Sequence, residues 1–185
     1  MPNPFDAAVY GPAIAALLAE NRIAALGPGT PNRAMRPKLA TLTVETLLAP
    51  HSIHDGDMAR ACLAGLWLYH DFLDEAHTIS QDIDTPTGSY WHGLMHRREP
   101  DAGNSAYWLR RVGEHPVFAE LARDAQALGL KLESGRWDPF AFIDLCEKYR
   151  GSGRPEEDLL LRVQRREWEL LFDWCYRQAG GAPRG

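Results

Sequence analysis

"DMARACLAGLWLYHDFLDEAHTISQDIDTPTGSYWHGLMHRREP" occupies residues 57–100. In its first half Leu66, Tyr69 and Leu73 recur at three- and four-residue intervals, the period of a helix with one face in a core. Asp55 or Asp57 supplies an N-cap, and the pattern runs without interruption to Ser80. "DIDTPTGS" reads as a loop. A second helix runs from about Ser89 to Glu99 and stops at Pro100. So short a connection favours antiparallel, adjacent helices.

Working outward, the same punctuation recurs. Pro12 suits the first turn of a helix reaching about Leu26, with Gly27 as its terminator. "KLATLTVETLLAP" carries Thr41, Thr43 and Val44, which favour a strand. It also carries Leu39, Leu42, Leu47 and Leu48 at helical spacing, and the helix is the preferred reading, ended by Pro50. "DAGNS" caps a short helix "AYWLRRVG". "HPVFAELARDAQALGL" is amphipathic, and Asp138–Pro139 opens another helix. Pro155 with Glu156 and Glu157 opens the last one. Arg110, Arg111 and "RVQRREWE" read as solvated helix faces, and residues 180–185, "GGAPRG", as a frayed tail. The expectation is an all-α, compact, single-domain bundle of about six to seven helices spanning 1–185, with the helix at 57–80 near its centre.

Bulk properties narrow the class. A chain of 185 residues can bury a substantial core, and 45% apolar with 24% charged residues is ordinary globular usage. A formal net charge of -5 argues against a general nucleic-acid binder. Cys62, Cys146 and Cys175 form no CxxC and sit in helical segments, so a cytoplasmic, reducing setting is expected. The first 21 residues lack the basic start of a secretory leader, and no stretch approaches the roughly 18 apolar residues of a membrane span.

The chemistry concentrates in the opening stretch. His70, Asp74 and His77 stand at i, i+4 and i+7, within roughly 60° of one another on a continuous helix. Trp67 and Gln81 extend that strip. His92, His96 and Glu99 repeat the spacing on the second helix, beside Trp91 and Met95. Packed together, the two helices would bring both strips to one cleft, with His70 or His77 within about 8 Å of His92 or His96. Imidazole and carboxylate are ligands of zinc, iron and manganese. One divalent ion would take three or four of His70, Asp74, His77, His92 and His96, and Glu99 or Asp101 would hold a second ring nitrogen. No di-iron Glu-x-x-His, zinc-protease HExxH, GxSxG, Walker loop or GxGxxG is present.

Arg97 and Arg98 pull the other way. Fixed positive charges beside the cluster oppose a cation and suit an anion, which arginine clamps through two parallel hydrogen bonds. Ser89, leading the second helix, adds a hydroxyl for such a group, and Trp67 and Trp91 add aromatic walls. A metal-free anion pocket is therefore the stronger expectation, with His77, His92 and His96 as acid–base groups. Without any ligand, Asp74 could pair with His70 and Glu99 with His96 along their own helices.

The stretch from Leu66 to Phe118, and within it "GSYWHGLMHRREPD", resembles the signature segment of a family of uncharacterised bacterial and fungal proteins. The resemblance covers under a third of the chain and implies no particular activity. The expectation is a binding protein for a small anionic molecule, or an enzyme of the metal-assisted hydrolase or general acid–base class. The alternative is a non-catalytic protein whose polar cluster fixes helix packing or a homodimer seam.

Overall fold

The computed structural model describes residues 5–181. Among them the fold is all-helical: a 3-10 turn at Ala7–Tyr10 is followed by ten α-helices, more than the six to seven expected. These are α1 (Pro12–Leu18), α2 (Arg36–Thr41), α3 (Val44–Leu48), α4 (Gly56–Tyr69), α5 (Leu73–Ser80), α6 (Pro86–Arg98), α7 (Ala102–Val112), α8 (Val117–Leu128), α9 (Pro139–Tyr149) and α10 (Pro155–Ala179). None is long and apolar enough to cross a membrane.

The additional helices come from stops that the apolar period does not show. α1 ends at Leu18, well short of Leu26. The single helix expected across residues 39–48 is two, because Thr43 and Thr46 cap each other's backbone in a capping box at the start of α3. Thr43 is the N-cap and Thr46 lies in the short helix itself, so neither belongs to a strand. The expected helix at 57–80 is also two. Asp71 takes the left-handed conformation (φ 64°). Its N–H donates to Leu68 O, and Phe72 N–H donates to Trp67 O, at 3.1 and 3.0 Å. That is a Schellman close with aspartate in the place glycine usually fills.

At the C-terminus, Gly181 N–H reaches Tyr176 O at 2.9 Å, so Gly180 and Gly181 finish α10. The rest of the expected frayed tail, 182–185, lies outside the described residues.

α6 is the enclosed element, where the sequence had suggested the helix at 57–80. Every residue from Thr87 to Arg98 is buried. It packs on α4, α5 and α7, while α10 packs on α4, α8 and α9. Glycines permit the close approaches. A Cβ on Gly65 of α4 would lie 2.8 Å from the Trp91 ring, and one on Gly93 of α6 would lie 2.8 Å from Leu109 of α7. Gly65 O also accepts from Trp168 Nε1 at 2.8 Å, and Gly93 O from Ser105 Oγ at 2.8 Å. The "RVQRREWE" stretch is not a solvated face, since Arg166 and Glu167 are both buried. Arg110 and Arg111 are exposed.

Candidate metal centre

A wholly buried helix carrying histidines and arginines must satisfy its polar groups inside the protein. α6 does so almost everywhere. Thr87 Oγ1 meets His115 Nε2 at 3.1 Å, and Tyr90 donates to Glu167 Oε1 at 2.8 Å. Arg97 Nη2 lies 2.5 Å from Glu167 Oε2. Arg98 donates to the carbonyls of Ala25, Gly27, Pro28 and Leu68 and to the Asp71 carboxylate. Two residues fall short: Arg97 keeps Nε and Nη1 unpartnered, and His92, 2% exposed, has no hydrogen-bond partner on either ring nitrogen among the described residues.

What His92 faces is two more imidazoles. The ring of His96, one turn on, stacks on it at 4.8 Å between centroids with 16° between planes. His77 of α5 meets both edge-on, at 4.6 Å from His92 and 5.4 Å from His96. Trp108 of α7 closes the far face of His92 at 4.0 Å. One nitrogen from each of the three histidines lies within 4.8 Å of the others. Bonds of about 2.0–2.1 Å at tetrahedral angles would separate three zinc-ligating nitrogens by about 3.3 Å. Ring movements of the order of 1 Å therefore close the set around one ion.

The surrounding groups suit ligation. His96 Nδ1 lies 2.9 Å from Glu99 Oε2, which fixes the tautomer with Nε2 unprotonated and free to coordinate. Burial first, and then the neighbouring His96 and His77, push the His92 pKa down to about 3. His92 is thus neutral, the form that binds metal, across the whole physiological range.

The break at Asp71 reassigns the other residues of the first strip. His70 caps α4 and turns away: its Nε2 meets Leu17 O at 3.0 Å and its Nδ1 approaches Asn32 Nδ2 at 3.5 Å. With both nitrogens engaged in the protein, it lies outside the three-histidine set. Asp74 is exposed in the first turn of α5 and is likewise outside that set. Gln81 is exposed at the C-cap of α5. Trp67 packs edge-on against Phe72 at 5.2 Å, Trp91 donates to Cys175 Sγ at 3.3 Å, and Ser89 is buried on α6. None of these four joins the histidines.

Arg97 and Arg98 do not clamp a ligand beside the cluster, because Glu167 and Asp71 already take up their charges. The argument that they repel a cation falls with that pairing. As partners for arginine, neither carboxylate is legible in the sequence. Asp71 is adjacent to His70 in "YHDF", and Glu167 sits in a stretch whose alternating charges look solvated. Their only signal was the need of two buried arginines for partners.

An open cleft of about 720 Å³ has Glu99, the partner of His96, in its wall, and none of the three histidines lines it. Asp74, Arg33, Arg36 and Glu75 line it too, over a floor that includes Phe72 and Leu73. No family model, curated protein or solved structure matches the chain.

Proposed function

We propose that this protein is a metal-dependent enzyme whose centre is a divalent transition ion, zinc, iron or manganese, held by His77, His92 and His96. The observation that carries the reading is His92, a buried imidazole with no partner except two other imidazoles. A polar network kept only for packing would be satisfied, whereas both His92 nitrogens are bare; Arg97, the other under-satisfied residue of α6, still has its charge paired with Glu167. Three neutral ligands leave a fourth position for water or substrate, the pattern of catalytic rather than structural zinc. Lewis acidity and a water of lowered pKa are what such an ion supplies, so metal-assisted hydrolysis is the favoured reaction class.

The protein's own groups divide the remaining work. Glu99 orients His96. Trp108 excludes solvent from one face of His92. The adjoining cleft takes a small molecule; Arg33 and Arg36 share its lining with Asp71, Asp74, Glu75 and Glu99, and Arg36 pairs with Glu75 at 2.6 Å. Three free, buried thiols fit a reducing, cytoplasmic compartment. Titration calorimetry with zinc, manganese(II) and iron(II), run beside phosphate and small carboxylates, tests this. One equivalent of metal bound far tighter than millimolar is expected. Binding of no ion tighter than about millimolar, about -4 kcal/mol, overturns it.

A further inference from the structure

A second polar feature of α6 surrounds Arg97 and Arg98. A cavity of about 30 Å³ is lined by Arg22, Arg97, Arg98, Gln164 and Arg165, with Leu68, Leu94 and Trp168 as apolar wall. About 10–15 Å³ suffices for one water, so this space holds one or two atoms of that size and no polyatomic ligand. Four arginines line this space, and four carboxylates meet them. Arg22 and Arg98 share Asp71, Arg97 has Glu167, and Arg165 has Glu169, which also serves Arg166. Glu20 stands 3.9 Å from Arg22 and is largely solvated.

Donors are in excess. Arg97 is 1% exposed and its guanidinium lies 4.7 Å from the centre of the Phe142 ring, yet its Nε and Nη1, like the Nε of Arg22, have no hydrogen-bond partner among the described residues. An unpartnered guanidinium edge in a low-dielectric site is costly unless an acceptor meets it. We infer that this cavity is a binding site for a single monatomic anion, chloride in the cell, held by a free N–H of Arg97 together with the Nε–H of Arg22. The anion ties the segment at 22–25, whose carbonyls bond Arg165, Gln164 and Arg98, to α6 and α10. Gln164 turns its amide nitrogen to the carbonyls of Ala24 and Ala25, leaving Oε1 unpartnered. That oxygen suits a water donor, so water is the competing occupant.

The test uses the full chain with EDTA present, so that no metal at the histidines can take up halide. Thermal unfolding is followed while chloride or bromide replaces sulfate at constant ionic strength. The expected result is a midpoint that rises by several degrees and saturates, as mass action at one site requires. Crystals grown in bromide should show an anomalous peak beside Arg97. In Arg97→Lys the ammonium can still pair with Glu167 but lacks the two free N–H groups, and the saturable rise should vanish. If that variant does not fold, the bromide peak in the parent decides alone. A water in the cavity with no bromine signal, or an equal rise in sulfate, overturns the inference.

Discussion

His92 and Arg98 are two buried polar residues of one helix with opposite accounts. Nothing in the protein satisfies His92, so its nitrogens cost desolvation that only a ligand returns. Replacing it with leucine, of comparable size and without polar atoms, should leave the stability of the metal-free protein within about 1 kcal/mol of the parent, or raise it. Metal affinity in His92→Leu should fall at least about 100-fold, roughly 2.7 kcal/mol. Urea unfolding and calorimetry on the same sample read both quantities. A large loss of apo stability would make His92 a packing residue. Arg98 is the reverse case. Arg98→Met strips donors from four carbonyls and leaves Asp71 with Arg22 and the Thr30 N–H. Removing one partner of a buried pair costs about 3–5 kcal/mol, and the carbonyls add to that. A variant that unfolds at the parent's urea midpoint would show that water replaces the guanidinium without cost.

At the scale of elements, the joint between α4 and α5 positions the cluster. Were residues 57–80 one straight helix, His70, Asp74 and His77 would share a face. The left-handed turn at Asp71 separates them, buries His70 against Leu17 and leaves His77 against α6. The turn holds because the Asp71 carboxylate accepts from Arg98 and from Arg22 Nη2 at 2.7 Å. Thr30 N–H adds a longer bond at 3.3 Å. Asp71→Asn keeps a side chain tolerated at positive φ but removes the charge. It should cost about 3–5 kcal/mol. It should also weaken metal binding by about tenfold, although Asp71 touches none of the three histidines, because His77 loses its fixed approach. Unchanged affinity in a destabilised Asp71→Asn would show that α5 is placed by its packing on α6 alone.

This joint also marks where the sequence stopped being readable. Caps at Asp55, Asp101 and Asp138 announced their helices, and HxxxH gave the pairing of His92 with His96. His77 was expected near them and is. The stop at Asp71 was hidden because its Schellman turn lacks the usual glycine, and its support comes from Arg98 and Arg22, 27 and 49 residues away. Long-range partners of that kind leave no local period.

For the molecule as a whole, buried histidines set the response to acid: burial lowers the His70 pKa, and those of two others move further. Burial lowers the His115 pKa to about 4, and the His92 pKa lies at about 3. Both groups return to about 6.5 on unfolding. Between those folded values and 6.5 the unfolded chain binds more protons than the native one, so stability must fall as pH falls through this window. Above about pH 6.5 both residues are neutral in either state and contribute no slope. At pH 5 the unfolded chain gains about 1.5 units of protonation free energy at each site, of the order of 2 kcal/mol apiece, which the native state forgoes. The apo protein should therefore lose about 4 kcal/mol between pH 7 and pH 5, before most carboxylates titrate. His115→Gln should lose only about half as much, since its neutral amide can still meet Thr87. Zinc should stabilise strongly at pH 7 and progressively less towards pH 5, because every ligating imidazole must be unprotonated. Urea unfolding of the EDTA-treated parent and of His115→Gln at both pH values measures the slope. Equal stability of the parent at pH 5 and pH 7 would mean that these histidines accept protons in the native fold, and that the cluster around His92 is open to water.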